Sequence, residues 1–436
     1  MFKFRLFILV LIISLSPNIY SSDILDIYNR AIKYNNDLRI ISNDNNISEE
    51  LYDQTSSSLL PEIGITASTQ ENYTNKYSGT GDIKDYTTET ASLTITQPIL
   101  RIYFFDELNK AEANLDKSKV RVDGYKKDLI IKSAELYFSL INSNNAYKAS
   151  IIKSNMTSLS YKNAKKLFIN GYITNVELNK YKNNFDIAKI ESDISKNKLE
   201  LAKQDIYILT GREALDIHDL KPIMDIDFRS YNSSSLLSKA MRSFDAIKLA
   251  LLDVDISKYE MYSNKSQHYP TIDLIATYDY SDTSGGSRLG KVTRESNTIG
   301  LTVNFPIYQG GYQSSKVKES KYKYENAKLN LDQLRRTVKR DIIDKVNNHN
   351  LLKKYIIANK DRYKNTNLDY LAIKNGFQSG LYTDVELKEA EYNLVISKNE
   401  LVSNTLKYLL TDLQLRKYSS KLSVQNIINI NEMLIW

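Results

Sequence analysis

The chain has 436 residues, of which 42% are hydrophobic and 25% charged, with a formal net charge of +7 and no cysteine. The lack of cysteine excludes a disulfide framework and an N-terminal lipidated cysteine, so any membrane anchorage has to be built from protein. Lysines are scattered among Asp, Glu and Asn along helical patterns, which reads as solvated helix faces and argues against a nucleic-acid surface.

Residues 1–22 read as a secretory signal peptide. They combine a basic start (Lys3, Arg5), an apolar run from Phe7 to Leu15 and small residues at Ser21 and Ser22. Cleavage near residues 21–23 leaves a mature charge of +5. No later stretch approaches the ~20 apolar residues of a membrane-spanning helix, so a membrane role falls to strands.

From Asp23 to Ser58 the spacing of Leu25, Tyr28 and Ile32, then Leu38 and Ile41, predicts two helices broken near Asn35-Asn36-Asp37. After Pro61 the period changes to two. Ile63, Ile65 and Ala67 alternate with Gly64, Thr66 and Ser68, and beyond a polar loop Ala91, Leu93 and Ile95 alternate with Ser92 and Thr94 up to Pro98. This predicts a β-hairpin over 61–98. The pattern returns at Pro270 with Ile272, Leu274, Ala276, Tyr278 and Tyr280, and ends with Ile299, Leu301, Val303 and Phe305 before Pro306, giving a second hairpin over 270–307.

The helical stretches repeat as well. Leu108, Ala111, Leu115, Ser118, Val122, Tyr125 and Leu129 recur at steps of three and four, the seam of a coiled coil, and Val317, Ser320, Tyr324, Ala327, Leu331, Leu334 and Val338 each follow 209 residues later. Gly171-Tyr-Ile-Thr174-Asn-Val176-Glu177-Leu178 and Gly380-Leu-Tyr-Thr383-Asp-Val385-Glu386-Leu387 are offset by the same 209 residues. In each, a glycine ends one helix and a Thr with Glu three residues on opens the next, so each is the tip of a helical hairpin.

The domain plan is therefore a signal peptide 1–22, a first repeat 23–214 with a helical hairpin over 104–209, and a linker 215–235. A second repeat 236–415, with a helical hairpin over 312–415, precedes a weakly patterned tail 416–436 that wraps the outside or is disordered. Four strands per chain are too few to close a membrane barrel, which takes eight or more, so oligomerisation has to supply the rest. Tyr269, Tyr278, Tyr280, Tyr308 and Tyr312 suit an aromatic girdle. His218, His268 and His349 are isolated, and no nucleophile elbow, metal-spaced cluster or phosphate loop is present, so neither catalysis nor a cofactor is expected.

The duplicated strand-strand-helix-helix plan, the strand openings Leu60-Pro61-Glu62-Ile63 and Tyr269-Pro270-Thr271-Ile272, and the strand exits Gln97-Pro98-Ile99 and Phe305-Pro306-Ile307-Tyr308 resemble the TolC family of outer-membrane exit ducts. So do the twin tips, and the resemblance covers essentially the whole mature chain.

It implies an α+β homotrimer with an outer-membrane β-barrel, four strands per chain, continuous with a long α-helical coiled-coil barrel in the periplasm. It also implies a periplasmic adaptor (a membrane fusion protein), an inner-membrane ABC, RND or MFS transporter, and outer-membrane lipid as surroundings. Adaptor docking then falls to Gly171, Thr174, Gly380 and Thr383. The periplasmic gate falls to Glu177, Phe377, Tyr382, Glu386 and Glu389, with Glu386 and Glu389 forming acidic rings that favour cations.

The chain departs from the family where Tyr382 replaces a frequent arginine and Phe377 a frequent tyrosine, so a Tyr382–Glu177 link is the expected substitute for an arginine lock. The rival reading is a soluble periplasmic coiled-coil adaptor or structural protein, which would show one helical hairpin inserted in a small lipoyl-like domain. That arrangement is not in the sequence.

Overall fold

A computed structural model describes residues 23–73, 85–212, 218–221, 228–285 and 291–434. The signal peptide, the loops of the two β-hairpins and much of the linker expected at 215–235 lie outside the described residues. The chain opens with α1 (Ile24–Tyr34) and α2 (Asn36–Ser57), separated by Asn35 alone. The extended backbone of Asn35 stops the first helix, and its side chain caps the second by accepting from the Leu38 N–H at 2.8 Å.

β1 (Glu62–Asn72), β2 (Tyr86–Leu100), β3 (Thr271–Gly285) and β4 (Val292–Asn304) form one antiparallel sheet in the order β1-β2-β3-β4. The β2–β3 pairing joins the two repeats. The register aligns the apolar positions across all four strands. Ile63, Ile95, Ala276 and Ile299 share one row, and Ile65, Leu93 and Tyr278 share the next. Gly64, Thr94, Thr277 and Thr298, then Thr66, Ser92, Asp279 and Ser296, occupy the other face.

The apolar face is left open by the chain itself, with Ile65 80% and Ile299 79% exposed. Along β3 it runs from Ile272 to Tyr280, about 27 Å at strand rise, and beyond it stand Glu89 and Asp282. A register shift between Pro98 and Leu100 bends β2 where it leaves the sheet. There Arg101 Nε reaches Asp273 Oδ1 of β3 at 2.7 Å and pins the start of the next helix.

That helix, α3 (Ile102–Ile169), and its counterpart α7 (Tyr312–Gln378) have 68 and 67 residues, so each is ~100 Å long. α4 (Asn175–Thr210) and α8 (Asp384–Tyr418) return about half that distance. α2 lies against α3, and α6 (Asp245–Ser266), preceded by α5 (Ser233–Ser243), lies between α3 and α7. Every residue of both seven-residue seams is buried or half-buried.

The main core collects Ile24 and Ile27 of α1, Leu129, Tyr137 and Leu140 of α3, Ile206 of α4, and Leu406 and Leu413 of α8. A second core joins Leu236 and Ala240 of α5 and Ile247 of α6 to Val338, Ile342 and Val346 of α7.

The tail, expected to wrap the outside or be disordered, is ordered and packed. α8 runs on to Tyr418, and α9 (Val424–Asn431) inserts Ile427 and Ile430 into the main core. Leu434 bridges to Leu220, and Asn431 Nδ2 donates to Asp23 Oδ2 at 2.8 Å, tying the end of the described chain to its start. Eight residues are too short to show helical periodicity against background, which is why the sequence pattern looked weak.

Candidate functional site: the two helical tips

At the first tip, α3 ends at Ile169 and Gly171 takes φ +75; at the second, α7 ends at Gln378 and Gly380 takes φ +78. Positive φ is strained for residues with a Cβ, so glycine lets the chain reverse within a few residues. The reversal is closed by Tyr172 N–H donating to the Leu167 carbonyl at 2.9 Å, and by Leu381 N–H donating to the Gly376 carbonyl at 2.8 Å. These are Schellman closures that satisfy the last carbonyls of each helix.

The returning helices start with matched capping boxes. Glu177 N–H donates to Thr174 Oγ1 at 3.3 Å while Glu177 Oε2 accepts from Thr174 N–H at 2.9 Å. In the second copy, Glu386 N–H donates to Thr383 Oγ1 at 3.3 Å, and Glu386 Oε2 accepts from the Thr383 N–H at 2.7 Å and its hydroxyl at 2.8 Å.

These bonds hold the Glu386 carboxyl below its ordinary value of 4.5, the backbone donor of Thr383 first and its hydroxyl second. Since the folded-state value is the lower one, the cap is at full strength above pH 4.5 and is lost as the pH falls through the folded value. Amide exchange at Thr383, whose N–H the carboxylate accepts, should accelerate on acidification into that range, beyond the intrinsic change, and Glu386→Ala should remove the effect.

Phe377 is half-buried in the last turn of α7, whereas Glu177, Tyr382, Glu386 and Glu389 are exposed. Tyr382, Glu386 and Glu389 line one open groove of about 490 Å³ together with Arg362, Thr366 and Asp369. Lys388 is not among the residues that line this groove and pairs with Glu391 at 2.6 Å. Glu389 makes no ion pair among the described residues, so the groove keeps an acidic rim.

The expected Tyr382–Glu177 link is not made within the chain. The Glu177 carboxylate is engaged by Thr174, and the ring of Tyr382 lies on Gly376. A Cβ at residue 376 would stand 2.6 and 2.7 Å from two ring carbons of Tyr382, so the absence of a side chain there is what seats the ring. Gly376 is not among the residues that the sequence patterns single out. The available signal was a helical glycine six residues before an aromatic, across a glycine turn.

Both tips also expose apolar side chains: Ile169 at 72%, Tyr172 at 76%, Val176 at 79% and Leu381 at 78%. Among the described residues no group of His, Cys, Asp and Glu is arranged to hold a metal, and none of the described helices is long and apolar enough to cross a membrane. The latter says nothing of the sheet.

Residues 236–420, covering most of the second repeat, match the outer membrane efflux protein family. Outer membrane protein TolC of Escherichia coli (strain K12) is 24% identical over 446 residues, spanning 98% of this chain and 89% of TolC. Alkaline protease secretion protein AprF of Pseudomonas aeruginosa is 21% identical over 78% of this chain and 72% of AprF. Among solved structures, the Campylobacter jejuni CmeC outer membrane channel superposes with a TM-score of 0.75 at 17% identity, covering 94% of this chain and 89% of CmeC. The second repeat thus matches the outer membrane efflux protein family, the chain is similar to TolC along nearly all of both chains, and its fold is that of an outer membrane channel.

Proposed function

We propose that three copies of this chain close a twelve-stranded barrel in the outer membrane, continued by a helical tunnel through the periplasm, and that the assembly is the passive exit duct of a tripartite efflux pump or a type I secretion system. One observation carries the reading. Each chain presents a four-stranded sheet with an open apolar face about 27 Å tall and two unpaired edges, β1 and β4, mounted on ~100 Å helices. Unpaired strand edges are untenable in lipid, where each free backbone group costs several kcal/mol, and closure between copies satisfies them. The match to outer membrane efflux proteins and the similarity to TolC support a location in the outer membrane, reaching into the periplasm.

The tips would face the inner membrane. Their exposed Ile169, Tyr172, Val176 and Leu381 offer apolar anchors beside Gly171, Thr174, Gly380 and Thr383, a fitting surface for the helical hairpins of a periplasmic adaptor linked to an inner-membrane transporter. The groove lined by Tyr382, Glu386 and Glu389 would form the constriction, with Glu389 the freer carboxylate and Glu386 partly committed to its cap. No chemistry is required of the duct, and the energy comes from its partners.

Outer-membrane extracts should yield a heat-sensitive trimer that conducts in planar bilayers with cation preference. Glu386→Ala with Glu389→Ala should reduce that preference several-fold and weaken block by multivalent cations. A soluble monomer without conductance would sink the duct, and unchanged selectivity in the double variant would remove these two residues from the gate.

A further inference from the structure

The duct leaves one buried histidine without a task. His349 of α7 is 1% exposed, and neither ring nitrogen has a hydrogen-bond partner among the described residues. Its ring stacks on Tyr408 of α8 with centroids 4.3 Å apart and meets Tyr231 edge-on at 5.2 Å. The nearest carboxylate oxygen, Asp412 Oδ1, is 3.9 Å from Nε2. That carboxylate is already taken: Oδ1 accepts from the Tyr231 hydroxyl at 2.5 Å, and Oδ2 accepts from Arg416 Nε at 2.7 Å.

Tyr231 belongs to residues 228–232, the last part of the connection between the two repeats. The same segment is held by the Arg229 N–H donating to the Tyr408 hydroxyl at 3.0 Å and by Phe228 set edge-on to Tyr408 at 5.5 Å. One imidazole therefore touches both aromatic rings that fasten this segment to α7 and α8.

The charges around it are few. α8 brings Asp412 and Arg416, and the connection brings Arg229 and the Tyr231 phenol. α7 brings Lys353, whose Nζ lies over Phe228, and Lys345, which donates to Gln414 at 2.7 Å. Neighbouring α5 carries Lys239 and Arg242, both exposed. Burial disfavours the imidazolium and lowers the His349 value below its ordinary 6.5; Asp412 opposes this and Lys353 adds to it.

We propose that His349 is an acid-sensitive latch, which holds residues 228–232 against α7 and α8 while neutral and loosens them when protonated. An imidazolium in this cage has to find an acceptor, and the nearest is the Asp412 oxygen that Tyr231 occupies. Closing the 3.9 Å gap from Nε2 draws Oδ1 toward the imidazolium and away from the Tyr231 hydroxyl, so the proton is accommodated at the expense of the tie to the connection. The direction follows from the lowered value. The unfolded chain binds the proton first as the pH falls below 6.5, so stability is flat above that pH, declines down to the folded-state value, and is flat again below it. The latch rests on contacts within one chain and stands apart from the duct reading.

Amide exchange of the full-length protein decides the matter, reported as protection factors for residues 229–232 between pH 7.5 and 5. The wild type should lose about tenfold in protection on acidification, the equivalent of one hydrogen bond, while α1 keeps its protection. His349→Phe, which retains the stacking, should show no acid loss. Tyr231→Phe should begin at low protection and lose nothing further, which keeps the test decisive if the histidine variant fails to fold. Wild-type acid loss that persists in His349→Phe or in Tyr231→Phe, or no loss in the wild type, would overturn the latch.

Discussion

Leu93→Arg should abolish the membrane-inserted form of the protein, whereas Thr94→Arg, one residue on, should leave it in the membrane with altered conductance. Leu93 sits in the middle of the apolar face, between Ile65 of β1 and Tyr278 of β3, while Thr94 sits between Gly64 and Thr277 on the polar face. Side chains alternate strictly along a strand, so neighbouring substitutions of the same kind sample lipid and lumen in turn. An arginine at the lipid midplane of a barrel costs about 2–4 kcal/mol, and the proposed trimer would bear it three times. The comparison is made by fractionating the outer membrane and scoring heat-sensitive trimer for both variants. Equal loss in both would mean that the faces are assigned wrongly, and survival of both would mean that the sheet does not meet lipid.

The α+β architecture was legible because its two periods, two residues in the strands and alternating threes and fours in the helices, are properties of single segments. The face assignment at Ile63, Leu93 and Ile299 follows from alternation alone, and pairing has only to line the rows up. The tips were legible for the same reason, since a glycine turn followed by Thr and a Glu three residues on is a local device.

What escaped depends on residues distant in sequence or on a ring's choice of seat. α9 is defined by its place in the core beside α1, some four hundred residues earlier, and by the Asn431–Asp23 bond. Nothing in the sequence weighs a bare glycine on a helix surface against a distant carboxylate as the seat of Tyr382. The structure puts the ring on Gly376. Glu386 was recognised both as a capping residue and as a candidate gate residue, but the conflict between those uses emerges only from the 2.7 Å bond that commits one of its oxygens. The His349 cage draws on α7, α8 and the connection between repeats, and no pattern in any one of them marks it.

Lys127→Met should destabilise the chain by about 3 kcal/mol, the low end for breaking a buried ion pair. Lys127 of α3 donates to both carboxylate oxygens of Asp245, at 2.8 and 2.9 Å, in the first turn of α6. The pair fastens the first repeat to the second helix of the second, beside Gly124, where a Cβ would stand in ordinary contact with the Asp245 side chain at 3.6 Å.

Burial is unequal. The Asp245 side chain is 7% exposed and that of Lys127 23%, so removing the lysine strands a carboxylate that water barely reaches. Removing the carboxylate instead leaves an ammonium on a flexible stem able to swing outward. Asp245→Leu should therefore cost clearly less than Lys127→Met, and the double variant, with no charge left to bury, should recover most of the loss. Denaturant unfolding of the three variants beside the wild type measures this. A cost under about 1 kcal/mol for Lys127→Met would show that solvent screens the pair as it does surface ion pairs, and equal costs for the two single variants would show that the lysine is as firmly confined as its partner.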